Sequence, residues 1–368
     1  MPFDGNRCYV HSRGVLLESG FGLITTQKLE LSGCDVFYGI EMMKSHDGGE
    51  SWSSPVLCKH LRRTVSPDGT SAAICDGTPF YHRKSGKIIL TGHTVLYGAD
   101  NALLAPPRPR HTFYAVYNEA AGDFAPYRLI EMPETAERTY FSAGAGCAQI
   151  LETESGELLI PFYYNAYAGA CAPETSCTSV SVMRCAFDGE QMRLIEVGSS
   201  ITVNVPRGLG EPSLAKLGER YLLTLRNDES GFIAESRDGL HFSEPRPLCF
   251  EDGENIGNYN TQQHWLIGGG RAYLVYTRRA ETNGHVFRHR APLFIAELDP
   301  ERLCLLRQTE QIAVPERGAR LGNFGCQSYS SEVGYVFASE WMQCGREGWQ
   351  RCAERGSDGS LFISRVIY

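Results

Sequence analysis

Long hydrophobic runs are missing from this 368-residue chain, so no stretch reads as a bilayer-spanning helix, which takes about 20 apolar residues. Runs of Lys and Arg are missing too, and the formal net charge is -8. That balance excludes the electrostatic footprint of a nucleic-acid binder. Neither a membrane nor a nucleic acid is therefore expected as a partner. Near Met1 no basic stretch precedes an apolar core, so no secretion signal is read and a cytoplasmic protein is expected. No Cys-x-x-Cys pair occurs among the 13 cysteines, which argues against a zinc ribbon. Their odd number and their scatter from Cys8 to Cys352 argue against a disulfide scaffold. Reduced, mostly buried thiols are expected.

Helical periodicity is scarce as well, whereas Gly (39) and Pro (18) are plentiful. Such a composition favours many short strands joined by turns. A strand–turn–strand pattern recurs six times, at Gly14–Ile24, Pro79–Leu90, Ala148–Ile160, Pro212–Leu223, His264–Val275 and Tyr329–Phe337. Its turn glycines, Gly20, Gly86, Gly156, Gly218, Gly269 and Gly334, lie 51 to 70 residues apart. Units of that length fit four-stranded blades with long loops. The expected fold is all-β, one six-bladed β-propeller domain over residues 1–368, with a seventh blade as the alternative. The tail Leu361–Ile367 reads as a strand that helps close the ring.

Ser45-His46-Asp47-Gly48-Gly49-Glu50-Ser51-Trp52 is a local staple. Its Asp accepts bonds from turn amides, its glycines allow positive φ, and its Trp plugs an apolar gap. Ser236-Arg237-Asp238-Gly239-Leu240-His241-Phe242 repeats the grammar with Phe242 in the Trp place. With these two motifs the chain resembles the Asp-box (BNR) β-propellers of the sialidase superfamily.

Propeller chemistry is built where different blades converge, so candidates are read across the repeats. His93 and His111 stand on neighbouring strands of the second repeat, with Tyr97 closing the first of them. Tyr164 and Arg184 hold similar places in the third. Glu211 and Arg226 flank the fourth hairpin, either as site residues or as an ion pair across the blade. In the fifth, period-two alternation puts Arg288 and Arg290 on one face of a strand and His289 on the other. Guanidinium groups this dense in an acidic chain suggest a carboxylate site, because they bind carboxylate bidentately. His264, His289 and Cys326 form the alternative of a zinc site, without diagnostic spacing. No cofactor is otherwise expected.

The superfamily resemblance implies further roles. Glu211 would polarise a tyrosine nucleophile, Tyr329 in Gln327-Ser328-Tyr329-Ser330-Ser331, while Arg226 clamps a carboxylate and Asp35 acts as acid/base. The chain has Tyr9-Val10-His11-Ser12-Arg13 where that resemblance implies Arg-Ile-Pro. The order His93, His111, Tyr164, Arg184, together with Gln262-Gln263-His264-Trp265 and Arg288-His289-Arg290-Ala291-Pro292, is also similar to propeller polysaccharide lyases such as ulvan lyases. That likeness implies proton exchange by His and Tyr, charge neutralisation by Arg, and substrate contacts that include Gln263. The expected function is a carbohydrate-active enzyme on an acidic oligosaccharide or polysaccharide. A uronate-directed lyase is favoured, a sialidase-type retaining hydrolase is the runner-up, and a non-catalytic glycan-binding propeller comes third.

Overall fold

The computed structural model of the protein describes residues 3–31, 35–105, 108–134, 140–165, 178–344 and 348–368. Six antiparallel sheets follow one another along the chain as the blades of a six-bladed β-propeller. Four antiparallel strands are the unit, as in blade 1 (Arg7–Leu16, Gly22–Glu30, Phe37–Ser45, Val56–Leu57) and blade 4 (Gly210–Leu217, Arg220–Arg226, Phe232–Ser236, Arg246–Pro247). Blade 2 is built on Ser71–His82, Lys87–Tyr97 and Thr112–Asn118, and blade 3 on Leu158–Asn165, Thr178–Phe187 and Met192–Val197. Blade 5 is built on His264–Gly268, Arg271–Tyr276 and Leu293–Asp299, and blade 6 on Gly325–Ser328, Val333–Ser339 and Leu361–Ile367. Among the described residues there is no seventh sheet, and the only α-helix is Gln350–Glu354. No helix is long and apolar enough to cross a membrane.

Each gap between blades holds its own apolar cluster. Leu23, Ile40, Ile74 and Phe113 fill the gap between blades 1 and 2. Ile89, Phe162 and Met183 fill the next, and Leu159, Val182, Leu223 and Ala234 the one after. Trp265 anchors the gap between blades 4 and 5, with its Nε1 donating to the Ser213 carbonyl at 3.2 Å. Ring closure uses polar clasps. The Gln327 amide of blade 6 accepts from Leu16 N–H and donates to Leu16 O, both at 2.7 Å. Gln149 brackets Trp265 in the same way, at 2.7 and 2.8 Å. The tail strand Leu361–Ile367 pairs with Val333–Ser339 inside blade 6.

Five of the six expected turn glycines, Gly20, Gly86, Gly156, Gly218 and Gly269, have φ between 57° and 85°. Gly334 is different. It lies in a strand opposite Ser328, and the turn before it is closed by Ser330 Oγ. A Cβ at Gly334 would meet the Tyr368 hydroxyl at 2.3 Å, so close packing is what requires glycine there. In the first Ser-x-Asp turn, Asp47 Oδ1 accepts from Ser51 N–H at 3.0 Å and Trp52 Nε1 donates to Gly49 O at 3.0 Å. In the second, Asp238 Oδ1 accepts from Leu240 and His241 N–H at 2.9 and 2.8 Å.

One expectation about cysteine is corrected. Cys344 and Cys352 form a disulfide, Cys352 being carried back by the short helix, whereas Cys8, Cys58, Cys75, Cys147, Cys185, Cys249, Cys304 and Cys326 are free thiols.

Candidate functional site

The innermost chain of five blades passes a non-glycine residue in the left-handed region: His11 (φ 58°), Asp76 (55°), Cys147 (56°), Glu211 (41°) and Asn323 (65°). At His11, Asp76 and Glu211 the strand register also slips, as in a β-bulge. A bulge re-aims a side chain that pleating would send elsewhere. Here Asp76, Glu211 and Asn323 reach a polar cavity of about 600 Å³ lined from all six blades, with His11 and Cys147 behind Asp76. A larger outer groove, about 960 Å³ along Arg128–Pro133 and Met192–Val197, gathers residues of blades 2 and 3 only and has no such convergence.

Around the cavity stand seven arginines, Arg108, Arg110, Arg207, Arg226, Arg288, Arg290 and Arg320, with no lysine. Four carboxylates face them, Asp35, Asp76, Glu211 and Asp228. Arg226 is neutralised locally, bonded to Glu211 and, at 3.2 Å, to Asp228. Arg226, Arg288 and Arg290 then all donate to one neutral acceptor, Asn260 Oδ1, at 3.2, 3.3 and 2.8 Å. Crowding has a cost. Burial, with Arg226 beside it, lowers Arg290 to about 10. Burial and Arg290 also pull Arg320 well below the usual guanidinium range. Arg320 stacks on Trp341 at 3.8 Å, and Nε of both Arg290 and Arg320 is buried without a hydrogen-bond partner. The Glu211 oxygen Oε2 is likewise unpartnered.

Opposite lies a second cluster. His93 pairs with Cys75 across two strands and fits beneath Gly144 and Gly146, where a Cβ would meet it at 2.5 and 2.0 Å. Its Nδ1 is 3.5 Å from the Tyr163 hydroxyl, and the Arg110 guanidinium sits 4.4 Å over the Tyr163 ring. Beneath, Asp76 is approached by His11 (3.2 Å), His93 (3.6 Å), Arg13 (3.7 Å) and the Cys147 thiol (2.9 Å). Burial works against the Asp76 carboxylate, but His11, His93 and Arg13 outweigh it and hold it below the usual range. Burial keeps both imidazoles neutral, lowering His11 to about 4 and His93 to about 3, and pushes the Tyr163 phenol well up.

The structure brings His93, Glu211, Arg226, Arg288, Arg290 and Asp35 to this cavity. It does not bring the others. Tyr164 packs in the core between blades 2 and 3 with its hydroxyl on Ser200 at 2.8 Å, and its neighbour Tyr163 faces the cavity instead. His111 is exposed, and Arg110 beside it is the lining residue. Arg184 pairs with Glu196 and Glu157 on an outer strand. Tyr329 lies at the hairpin end of blade 6, edge-on to Tyr335, at the far end of the strand from Asn323. Tyr97 is buried, donating from its hydroxyl to the Asp35 carbonyl at 2.9 Å, and Gln263 is buried, donating to Thr261 O at 3.0 Å. Arg288 and His289 form a 3-10 turn with positive φ, not the alternating strand expected, yet Arg288 and Arg290 still share the cavity.

His264, His289 and Cys326 are not drawn together. His264 Nδ1 meets the Ser213 hydroxyl at 2.7 Å, His289 Nδ1 meets Asn283 at 2.9 Å, and Cys326 sits in the inner strand of blade 6. Among the described residues, the set compact enough to hold an ion is Cys75, Asp76 and His93, with ligand atoms within 4.8 Å of one another. Asn260, Tyr163, Arg110 and Asp76 escape a reading of the sequence. The small-residue run Ser142-Ala143-Gly144-Ala145-Gly146-Cys147, which makes room for His93, was the available signal.

No family model matches the chain, and no curated protein sequence does. Solved structures do. A protein of unknown function from Dyadobacter fermentans superposes with a TM-score of 0.67 at 13% identity, over 100% of this chain and 96% of that one. Trypanosoma rangeli sialidase in complex with sialic acid gives 0.64 at 12% identity, over 97% of this chain and 54% of its own. The Hadza microbial sialidase Hz136 gives 0.63 at 10% identity, over 98% and 66%. The chain thus has the fold of the sialidase β-propellers and spans about half to two thirds of the length of these two sialidases.

Proposed function

We propose that the protein is a carbohydrate-active enzyme that takes the carboxylate of an acidic glycan onto the arginines at Asn260 and cleaves the glycan by β-elimination. The observation that carries this reading is the convergence of Arg226, Arg288 and Arg290 on one neutral oxygen. A carboxylate arriving there replaces a weak shared acceptor with an anion that guanidinium forks bind bidentately. Neutralising the carboxylate is also what makes the adjacent C5 proton of a uronate removable.

Tyr163 is the lining tyrosine; burial pushes its phenol up, and Arg110 over its ring opposes that only in part, so the scheme calls for the phenolate at the moment of proton transfer. In this scheme Tyr163 takes the C5 proton, the C4–O bond breaks as the C4=C5 double bond forms, and the departing oxygen receives a proton from Tyr163. General acid–base catalysis of this kind is worth about 10²–10⁴-fold. A second reading is favoured by Asp35 and Glu211 lining the same cavity, since a hydrolase of retaining type needs an acid/base and a nucleophile partner. Products separate the two readings. Incubation with uronate oligosaccharides is expected to raise the ultraviolet absorbance of a conjugated, unsaturated uronate, and sialosides are expected to stay intact. Release of saturated sugar without that absorbance would overturn elimination in favour of hydrolysis.

A further inference from the structure

We infer that Cys75, Asp76 and His93 form a zinc-class divalent metal site in the wall of the axial cavity. The metal site stands on its own geometry and does not rest on the function proposed above.

Cys75 and His93 are direct partners across two antiparallel strands, so their side chains share a face. Asp76, next in sequence to Cys75, would ordinarily point the other way. Its left-handed backbone (φ 55°) at the register slip cancels the alternation and turns its carboxylate to the same place. Oδ2 of Asp76 then lies 3.6 Å from His93 Nε2 and 3.9 Å from Cys75 Sγ. The first distance is too long for a hydrogen bond. It is close to the edge of a tetrahedral shell, where bonds of about 2.0–2.3 Å separate neighbouring ligand atoms by about 3.3–3.6 Å. The third edge, Cys75 Sγ to His93 Nε2, lies within 4.8 Å, so closure by up to about an ångström, through side-chain rotation, would complete three corners. All three residues line the cavity, so the fourth corner faces its contents.

The surrounding groups behave as an outer shell. Asp76 Oδ1, the oxygen not offered to the ion, is held by the Cys147 thiol at 2.9 Å, with His11 Nε2, itself 2.7 Å from Asn323 Nδ2, lying 3.2 Å away. Arg13, 3.7 Å from the same Oδ1, spends its other donors on Phe324 O and Gly77 O. His93 Nδ1 is turned to the Tyr163 hydroxyl, which leaves Nε2 as the metal-binding nitrogen. Such partners fix the orientation of a ligand set. Sulfur, imidazole and carboxylate together suit zinc and disfavour Mg²⁺ and Ca²⁺, which prefer all-oxygen shells. As the ion binds, the Cys75 thiol releases its proton to solvent, and thiolate plus carboxylate balance the double charge. The bound imidazole keeps its Nδ1 proton toward Tyr163.

The test uses the full chain, stripped with a chelator, dialysed, and titrated with Zn²⁺ and with Co²⁺. One ion per chain is expected, and Co²⁺ should give a thiolate charge-transfer band in the near ultraviolet. Cys75→Ser and His93→Gln should each abolish that band while retaining the β-sheet circular dichroism of the wild type. Should Cys75→Ser fail to fold, His93→Gln decides alone. Cys147→Ser should keep the band, and His11→Gln should weaken Zn²⁺ binding by about 10–100-fold, as loss of an outer-shell partner does. A folded wild type without the band overturns the site, as does a band that survives Cys75→Ser or depends on Cys147. Wild type that cleaves acidic sugar yet binds no Co²⁺ overturns the metal and leaves the proposed cleavage standing.

Discussion

The two sides of the axial cavity are made differently. The side built from blades 4 to 6 is a surplus of cations, with Arg226, Arg288 and Arg290 sharing Asn260 and Arg320 stacked on Trp341. The side built mainly from blades 1 to 3 is a compensated cluster, in which Asp76 gathers His11, Arg13, His93 and Cys147 beneath Tyr163. A surplus of like charge is costly until an anion arrives, whereas a compensated network is stable without one. Under the proposed function the contrast would separate a binding half from a reacting half, and mutation of each should then fail in its own way.

The largest effect is expected on the reacting half. Tyr163→Phe should lower kcat by about 10²–10⁴-fold with KM little changed, measured on an acidic glycan that the wild type cleaves. An equal loss expressed in KM would put Tyr163 on the binding side. Next comes Asp76→Asn, which leaves Arg13 buried without its carboxylate. Breaking a buried charge set costs about 3–5 kcal/mol, to be read from denaturant unfolding. A variant as stable as wild type would show that the cluster is not compensated through Asp76.

On the binding half, Arg290→Lys keeps the charge and loses the planar fork. A charged hydrogen bond is worth about 1.5–3 kcal/mol, so KM should rise roughly 10–100-fold with the fold intact. A pure kcat effect would merge the two halves into one. A smaller effect concerns His264, outside the cavity lining, which burial lowers to about 3. Between that value and about 6.5 the unfolded chain binds a proton that the folded chain refuses, so stability falls as pH drops through this window. His264→Gln should flatten that acid limb, and an unchanged pH profile would show that His264 is not buried as a neutral ring. The smallest effects belong to the neighbours outside the cavity. Tyr164→Phe, His111→Ala and Arg184→Ala should leave turnover within about threefold, since surface and near-isosteric changes shift energies by about 0.5 kcal/mol.

The blades were legible because hairpins announce themselves locally, through apolar strands on either side of a positive-φ glycine. Gly334 shows the limit, since its role is set by Tyr368 and not by a turn. In the site, residues fixed by charge density were legible, as Arg226, Arg288 and Arg290 were. Residues fixed by strand phase were not. Tyr164 and His111 each stand one position from the residue that lines the cavity, Tyr163 and Arg110. With a side-chain period of two, one position is the whole difference between core and cavity. The left-handed residues His11, Asp76 and Glu211 reset that phase, and none is glycine, so nothing in local composition marks them.

A structure with an acidic sugar bound tests the division of the cavity most directly. The account predicts the sugar carboxylate on Arg226, Arg288 and Arg290, displacing their shared bond to Asn260 Oδ1, with the ring edge against the Tyr163 hydroxyl. A carboxylate seated on Arg108 and Arg110, with Asn260 still holding its three arginines, would contradict it.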